Sequence, residues 1–190
     1  MFYKENKNFL NKEEIETVNN VILSNSFPWY YNSSATTENF PFFSHVIIDR
    51  YDYKKEELKI NSNMFEFFNN IINRFCLKNK IRLNKITRMS LNLTYTNYKF
   101  KNGDPHVDHD FKHKSIILYL NNTDGNTIIF NKKFNGTDII YDSKTVKNLK
   151  IEKEIKPEIG KIICWDGDYY HTILYPKINK RRVVLVTTFI

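Results

Sequence analysis

The sequence predicts a mainly β domain that carries helices at its N-terminus. Three observations predict it. Apolar residues recur at helical spacing in two stretches before residue 80. Near residue 85 the pattern changes to alternation with period two. Short apolar runs separated by turn residues then continue to the C-terminus, as in a sandwich or barrel. At 190 residues the chain fits one domain, 1–190, with 1–84 as helical support and 85–190 as the β body.

The first helix is expected over about residues 11–24. Asn11 can cap it, with Glu14 as the reciprocal partner three residues on, and Ile15, Val18, Ile22 and Leu23 recur along one face. Pro28 biases Phe27 away from helix and ends it before Trp29-Tyr30-Tyr31, read as core or lid aromatics. A second helix is expected over about 62–78, with Met64, Phe67, Phe68, Ile71, Ile72 and Phe75 as its packing stripe. Next, Arg88, Ser90, Asn92 and Thr94 alternate with Met89, Leu91, Leu93 and Tyr95, giving a strand with one polar and one apolar face. Further strands are expected at 115–120, 127–130, 137–141, 161–165 and 182–189.

Composition narrows the function. No run approaches the roughly 18 apolar residues of a membrane helix, and the polar Met1–Lys7 start is unlike a signal peptide. Two lone cysteines, Cys76 and Cys164, make neither a disulfide framework nor a thiolate metal site. The expectation is a cytoplasmic protein with no membrane partner. The net charge of +8 raises a polyanion such as nucleic acid as a partner. Against it, the basic residues are scattered through a chain rich in Lys, Asn, Ile, Phe and Tyr, and the densest cluster is only Lys177, Lys180, Arg181 and Arg182.

Chemistry concentrates in two segments, Pro105–His113 and Gly160–His171. In an extended chain His106 and Asp108 project from one face and can reach one ion. His171, from a distant strand, would complete two imidazoles and a carboxylate, the facial triad of non-haem Fe(II) oxygenases. Zinc would more often draw on cysteine or a third histidine. His109 points away from His106 and Asp108, so His109, Asp110 and His113 are read as solvent or substrate-mouth residues. Asp166 and Asp168 flank Gly167 as turn residues.

The order of these features is more specific than any one of them. His106-x-Asp108 is followed by the Asp124-Gly125-Asn126-Thr127 turn, then a strand opening Gly160-Lys161, then His171, then Arg181-Arg182 at the head of a final strand. Over roughly residues 85–190 this order resembles the Fe(II)/2-oxoglutarate-dependent dioxygenase superfamily, in its prolyl 4-hydroxylase-like branch. Asn126 stands where that pattern often has a second glycine. The resemblance implies a double-stranded β-helix, the cupin-like jelly-roll, and Fe(II) held by His106, Asp108 and His171. It implies 2-oxoglutarate and O2 as co-reactants. The distal carboxylate of 2-oxoglutarate would be gripped by Arg182 or Arg181, with Arg182 preferred because Val184, Val186 and Thr188 would share its inward face. Asn92 is a candidate for the carboxylate next to the keto group, with Tyr95 and Tyr98 as further candidates. The implied activity is hydroxylation of an unactivated C–H bond on a peptidyl proline or other amino-acid side chain of a peptide, protein or amino-acid substrate. Base modification or repair of nucleic acid is the alternative, and a non-catalytic jelly-roll binding module is a third reading.

Overall fold

The computed structural model describes residues 1–34, 40–50, 59–141, 148–177 and 180–190. Along the chain run β1 (Tyr3–Asn6), α1 (Lys12–Thr17), a π-helical turn (Val18–Ile22), β2 (Tyr30–Asn32) and β3 (Phe42–Ile48). Then come α2 (Phe65–Lys78), β4 (Ile86–Tyr95), β5 (Lys114–Tyr119), β6 (Thr127–Lys133) and β7 (Ile151–Ile155). β8 (Ile162–Asp166), β9 (Tyr169–Ile173) and β10 (Arg181–Phe189) complete the set.

Two antiparallel sheets face each other. The larger has the order β1-β8-β5-β10-β4-β3-β2, the smaller β7-β6-β9. The central strands of the large sheet are apolar on both faces because both are covered. Ile116, Leu118, Met89, Leu91, Val183 and Leu185 pack toward α1 and α2, where Phe68, Ile71, Ile72 and Phe75 meet them. On the other face Ile117, Tyr119, Ile163, Trp165 and Val184 pack with Ile129 and Tyr169 of the small sheet. That three-layer burial explains why β5, β8 and β10 read as continuous apolar runs.

Several boundaries and elements differ from expectation. α1 keeps the Asn11–Glu14 capping box, with both reciprocal hydrogen bonds at 2.8 Å, but its second half widens into the π turn. The N-terminal part is not purely helical: β1 pairs with β8, and β2 and β3 extend the large sheet beyond β4. β1 and β2 are short and polar edge strands, so they carry little apolar periodicity. The expected strand at 137–141 is absent. Ile139 and Tyr141 instead bond to Val107 and Pro105, lining up beside the His106 segment without forming a ladder. β7 was unexpected, since Ile-Glu-Lys-Glu-Ile is exposed except at Ile155. No helix among the described residues is long and apolar enough to cross a membrane.

Candidate metal and cosubstrate site

Backbone pairing builds the centre of the site. His106 and His171 form an isolated antiparallel bridge, each N–H donating to the other's carbonyl at 2.9 Å. Directly opposed residues place their side chains together, and the two rings lie 4.5 Å apart. Asp108, two residues beyond His106, joins them. One ligand atom from each of the three lies within 4.8 Å of the others.

Second contacts orient these groups. His106 Nδ1 lies 2.9 Å from the Asp104 carbonyl, and His171 Nδ1 lies 3.4 Å from that of Tyr169. A carbonyl only accepts, so both rings donate through Nδ1 and leave the Nε2 lone pair free. Burial lowers the His106 pKa and pushes that of His171 down to about 3, so both rings are neutral near pH 7. Burial works in the opposite sense on Asp108, but His171, Arg88 and Arg50 around it hold its carboxyl well below the ordinary value. With His171 itself neutral, the two guanidiniums carry that effect. Arg88 donates to Asp108 Oδ1 at 3.0 Å, Arg50 stands 3.8 Å from the same oxygen, and Ser115 donates to Oδ2 at 3.2 Å. Two neutral imidazoles and one carboxylate in their metal-binding protonation states can hold a divalent cation.

The triad lines a cavity of about 370 Å³ that Arg182 also lines. Arg182 is 2% exposed. Its Nε donates to the Gly125 carbonyl and its Nη2 to Thr127 Oγ1, both at 2.8 Å, and the Tyr119 ring lies alongside. Among the described residues no carboxylate stands within 4.0 Å of it. Thr94, its partner in the β4–β10 register, has a buried Oγ1 with no hydrogen bond. Gly125 lets the arginine sit close over the turn, because a Cβ here would come 2.9 Å from Arg182 Cδ and push it aside.

Of the residues picked from sequence, His106, Asp108, His171, Arg182 and Asn92 all line this cavity. Tyr95 and Tyr98 do not. Tyr95 has the parity of Leu91 and Leu93, so it faces away from Thr94, is 50% exposed and sits against Phe43. Tyr98 lies past the strand end and is 85% exposed. Both border a separate hollow with Tyr31. Arg181 also points elsewhere, donating to the Leu23 carbonyl at 2.9 Å. Lys177 and Lys180 reach Asp124, so the densest basic cluster disperses in three directions. His109 and His113 are buried and not at a solvent mouth. His109 Nε2 lies 2.8 Å from Thr188 Oγ1, and His113 packs on Gly167. Asp166 ties the N-terminus down by accepting from Phe2 N and Lys114 Nζ. Sequence reading passed over Arg50, Tyr119, Trp165 and Tyr175, whose places depend on packing. Arg88 and Thr94 were on the polar face of β4, and Thr127 in the turn, without being singled out.

No protein-family model matches the sequence, and no curated protein matches it. Solved structures do match over nearly the whole chain. A 2OG-Fe(II) oxygenase family oxidoreductase from Burkholderia pseudomallei aligns with a TM-score of 0.66 at 14% identity, covering 98% of this chain and 85% of that one. The chain has the fold of the 2OG-Fe(II) oxygenases. A prolyl-4-hydroxylase from Pseudomonas putida aligns at 0.58 and 12% identity over 98% and 91% of the two chains. The epimerase SnoN, solved with Fe3+, alpha-ketoglutarate and nogalamycin RO, aligns at 0.59 and 8% identity over 99% and 78%. The two facing sheets are thus those of the double-stranded β-helix.

Proposed function

We propose that this protein is an Fe(II)- and 2-oxoglutarate-dependent dioxygenase that hydroxylates a C–H bond of an amino-acid side chain, with peptidyl proline the first substrate to try. One observation carries the reading. A single cavity is lined by a two-histidine, one-carboxylate cluster and by a buried arginine that has no carboxylate partner among the described residues.

The residues fit both groups. His106 Nε2, His171 Nε2 and the Asp108 carboxylate would hold Fe(II). Arg182 and the orphan Thr94 hydroxyl would take the distal carboxylate of 2-oxoglutarate, since a buried guanidinium costs much less once a carboxylate answers it. When bound, the iron with 2-oxoglutarate and O2 supplies the oxidising chemistry, in which 2-oxoglutarate becomes succinate and CO2 and one oxygen atom enters the substrate C–H bond. The chain's own part is orientation and exclusion of water. Asp104 and Tyr169 carbonyls fix the histidine tautomers, Arg88 and Ser115 fix the Asp108 carboxylate, and Ile117, Trp165 and Val186 keep the cavity wall apolar.

The test is Fe(II)-dependent succinate formation measured side by side with a proline-containing peptide, free amino acids and a single-stranded oligonucleotide. Stimulation by a peptide or amino acid is expected, since Lys177, Lys180, Arg181 and Arg182, the densest basic cluster, turn in different directions and do not track one phosphate backbone. Asp108→Ala and His171→Ala are each expected to abolish turnover and stoichiometric metal binding. A protein still active after both substitutions would falsify the metal assignment, and stimulation by the oligonucleotide alone would replace the substrate class.

A further inference from the structure

The proposed chemistry uses Arg182 but leaves two other arginines of the same cavity unexplained. Arg50 and Arg88 both line it, and both lean on Asp108. Arg50 also donates to the Asp108 main-chain carbonyl. The Arg88 side chain is 16% exposed and the Arg50 side chain 50%, so the pair leads from the metal cluster toward the outside.

Their head groups are tied to other partners than that of Arg182, Arg50 and Arg88 to Asp108 and Arg182 to Gly125 and Thr127. Arg182 pairs with Thr94 and Thr188 pairs with Arg88, six residues further along β10. That is about 20 Å between the backbone anchor points at roughly 3.3 Å per residue, a gap that the two long side chains shorten from both ends. The triad lies at the Arg88 end, because Arg88 touches Asp108. A molecule held by Arg182 and the metal therefore leaves Arg50 and Arg88 on the side where a second reactant enters.

Charge then decides what that reactant carries. Among the described lining residues the cations are Arg50, Arg88 and Arg182, and the anions are Asp104 and Asp108. A divalent metal and a 2-oxoglutarate dianion add equal and opposite charge. The cavity keeps one net positive charge, and it sits at the Arg50–Arg88 end, since Arg182 is answered by 2-oxoglutarate. Once Asp108 shares its charge with a dication, two guanidiniums beside that dication repel it and each other unless another anion stands between them.

We propose that Arg50 and Arg88 form an oxyanion subsite for the primary substrate, which therefore presents a free carboxylate close to the carbon that is hydroxylated. This rests on the dioxygenase reading and narrows it, from an amino-acid side chain in general to a free amino acid, a chain-terminal residue or a small carboxylic acid. Guanidinium forks match carboxylate geometry, and the depth of Arg88 favours a terminal group over one in the middle of a polymer.

The experiment uses the full-length protein loaded with Mn(II) and 2-oxoglutarate, at low salt so that screening is weak. Mn(II) and 2-oxoglutarate binding are measured first, by electron paramagnetic resonance and calorimetry. Acetate, inorganic phosphate, acetamide and a single-stranded oligonucleotide are then titrated into the loaded protein. Acetate is expected to bind about tenfold more tightly than acetamide, the size of one charge-assisted contact, and at least as well as phosphate. Arg50→Ala is expected to lose most of that preference and Arg50→Lys to keep part of it. Failure of Mn(II) and 2-oxoglutarate to bind would remove the dioxygenase reading itself. With both bound, equal binding of acetate and acetamide would overturn the subsite alone. So would a preference that survives Arg50→Ala, which would place acetate on the metal. Tighter binding of phosphate or the oligonucleotide, lost in Arg50→Ala, would overturn the carboxylate assignment.

Discussion

Arg88 and Arg182 project into one cavity from the two ends of the same strand pair, yet they are held differently. Arg88 rests on a carboxylate, Asp108, at 3.0 Å. Arg182 rests on neutral acceptors only, the Gly125 carbonyl and Thr127 Oγ1. Burial lowers the pKa of both, that of Arg88 to about 10, so both stay charged near neutral pH. A buried cation paired within the protein acts on its partner. One held by dipoles alone retains an unanswered charge, which favours an incoming anion. In the proposed function the Arg88 end would first position Asp108, taking a substrate anion together with Arg50 only once the metal draws on that carboxylate, whereas the Arg182 end would receive the 2-oxoglutarate carboxylate directly.

The sharpest test of that contrast removes each cation in turn. Arg182→Met is expected to raise the 2-oxoglutarate dissociation constant tenfold to hundredfold, about 1.5–3 kcal/mol. Protein stability should hold or rise in the same variant, because an unpaired buried charge has been replaced by an apolar chain of similar length. Arg88→Met should do the reverse, lowering thermal stability and metal affinity because Asp108 loses its partner. Calorimetry and a melting curve on both variants check the prediction. Arg181→Ala should change neither quantity appreciably. An Arg181 variant that lost 2-oxoglutarate while Arg182→Met kept it would mean that the register of β10 is shifted by one residue.

A smaller effect is expected from the turn beneath Arg182. Gly125→Ala places a methyl 2.9 Å from Arg182 Cδ and 3.2 Å from the Leu174 carbonyl. The flexible arginine can yield, whereas the backbone cannot. Its head group is therefore expected to shift, and 2-oxoglutarate affinity to fall by several-fold with the metal site intact. Unchanged affinity would show that the guanidinium position is not set by this turn.

The residues around this cavity were not equally legible in the sequence. The triad was, because His106 and Asp108 are near neighbours on an extended segment and His171 follows a recognisable strand. Arg182 was also legible, because period two on β10 separates it from Arg181. Alternation along β4 gives Tyr95 the parity of the helix-facing Met89, Leu91 and Leu93, which sets it off the cavity face. Arg50 left no periodic signal, since it follows β3 in a loop and meets Asp108 across 58 residues of chain. Tyr175 and Trp165 reach the cavity through the packing of one sheet against the other. Local patterns cannot encode such meetings, whereas strand parity and turn chemistry are local. The same reason explains β1 and β7, edge strands whose polar residues give pairing partners but no apolar stripe.

The mildest substitution isolates the contribution of a single hydroxyl at the receiving end. Thr94 Oγ1 is buried and makes no hydrogen bond, although its Cα partner across the sheet is Arg182. An unsatisfied buried hydroxyl is a cost to the folded state, and valine has nearly the same shape without it. Thr94→Val is therefore expected to leave the melting temperature unchanged or slightly higher. If the hydroxyl serves the distal carboxylate of 2-oxoglutarate, the same variant should bind the cosubstrate more weakly by about 1 kcal/mol, roughly fivefold. A merely structural threonine would move stability and leave binding alone. A fall in stability with unchanged 2-oxoglutarate affinity would thus take Thr94 out of the receiving end and leave Arg182 to act there with Thr127.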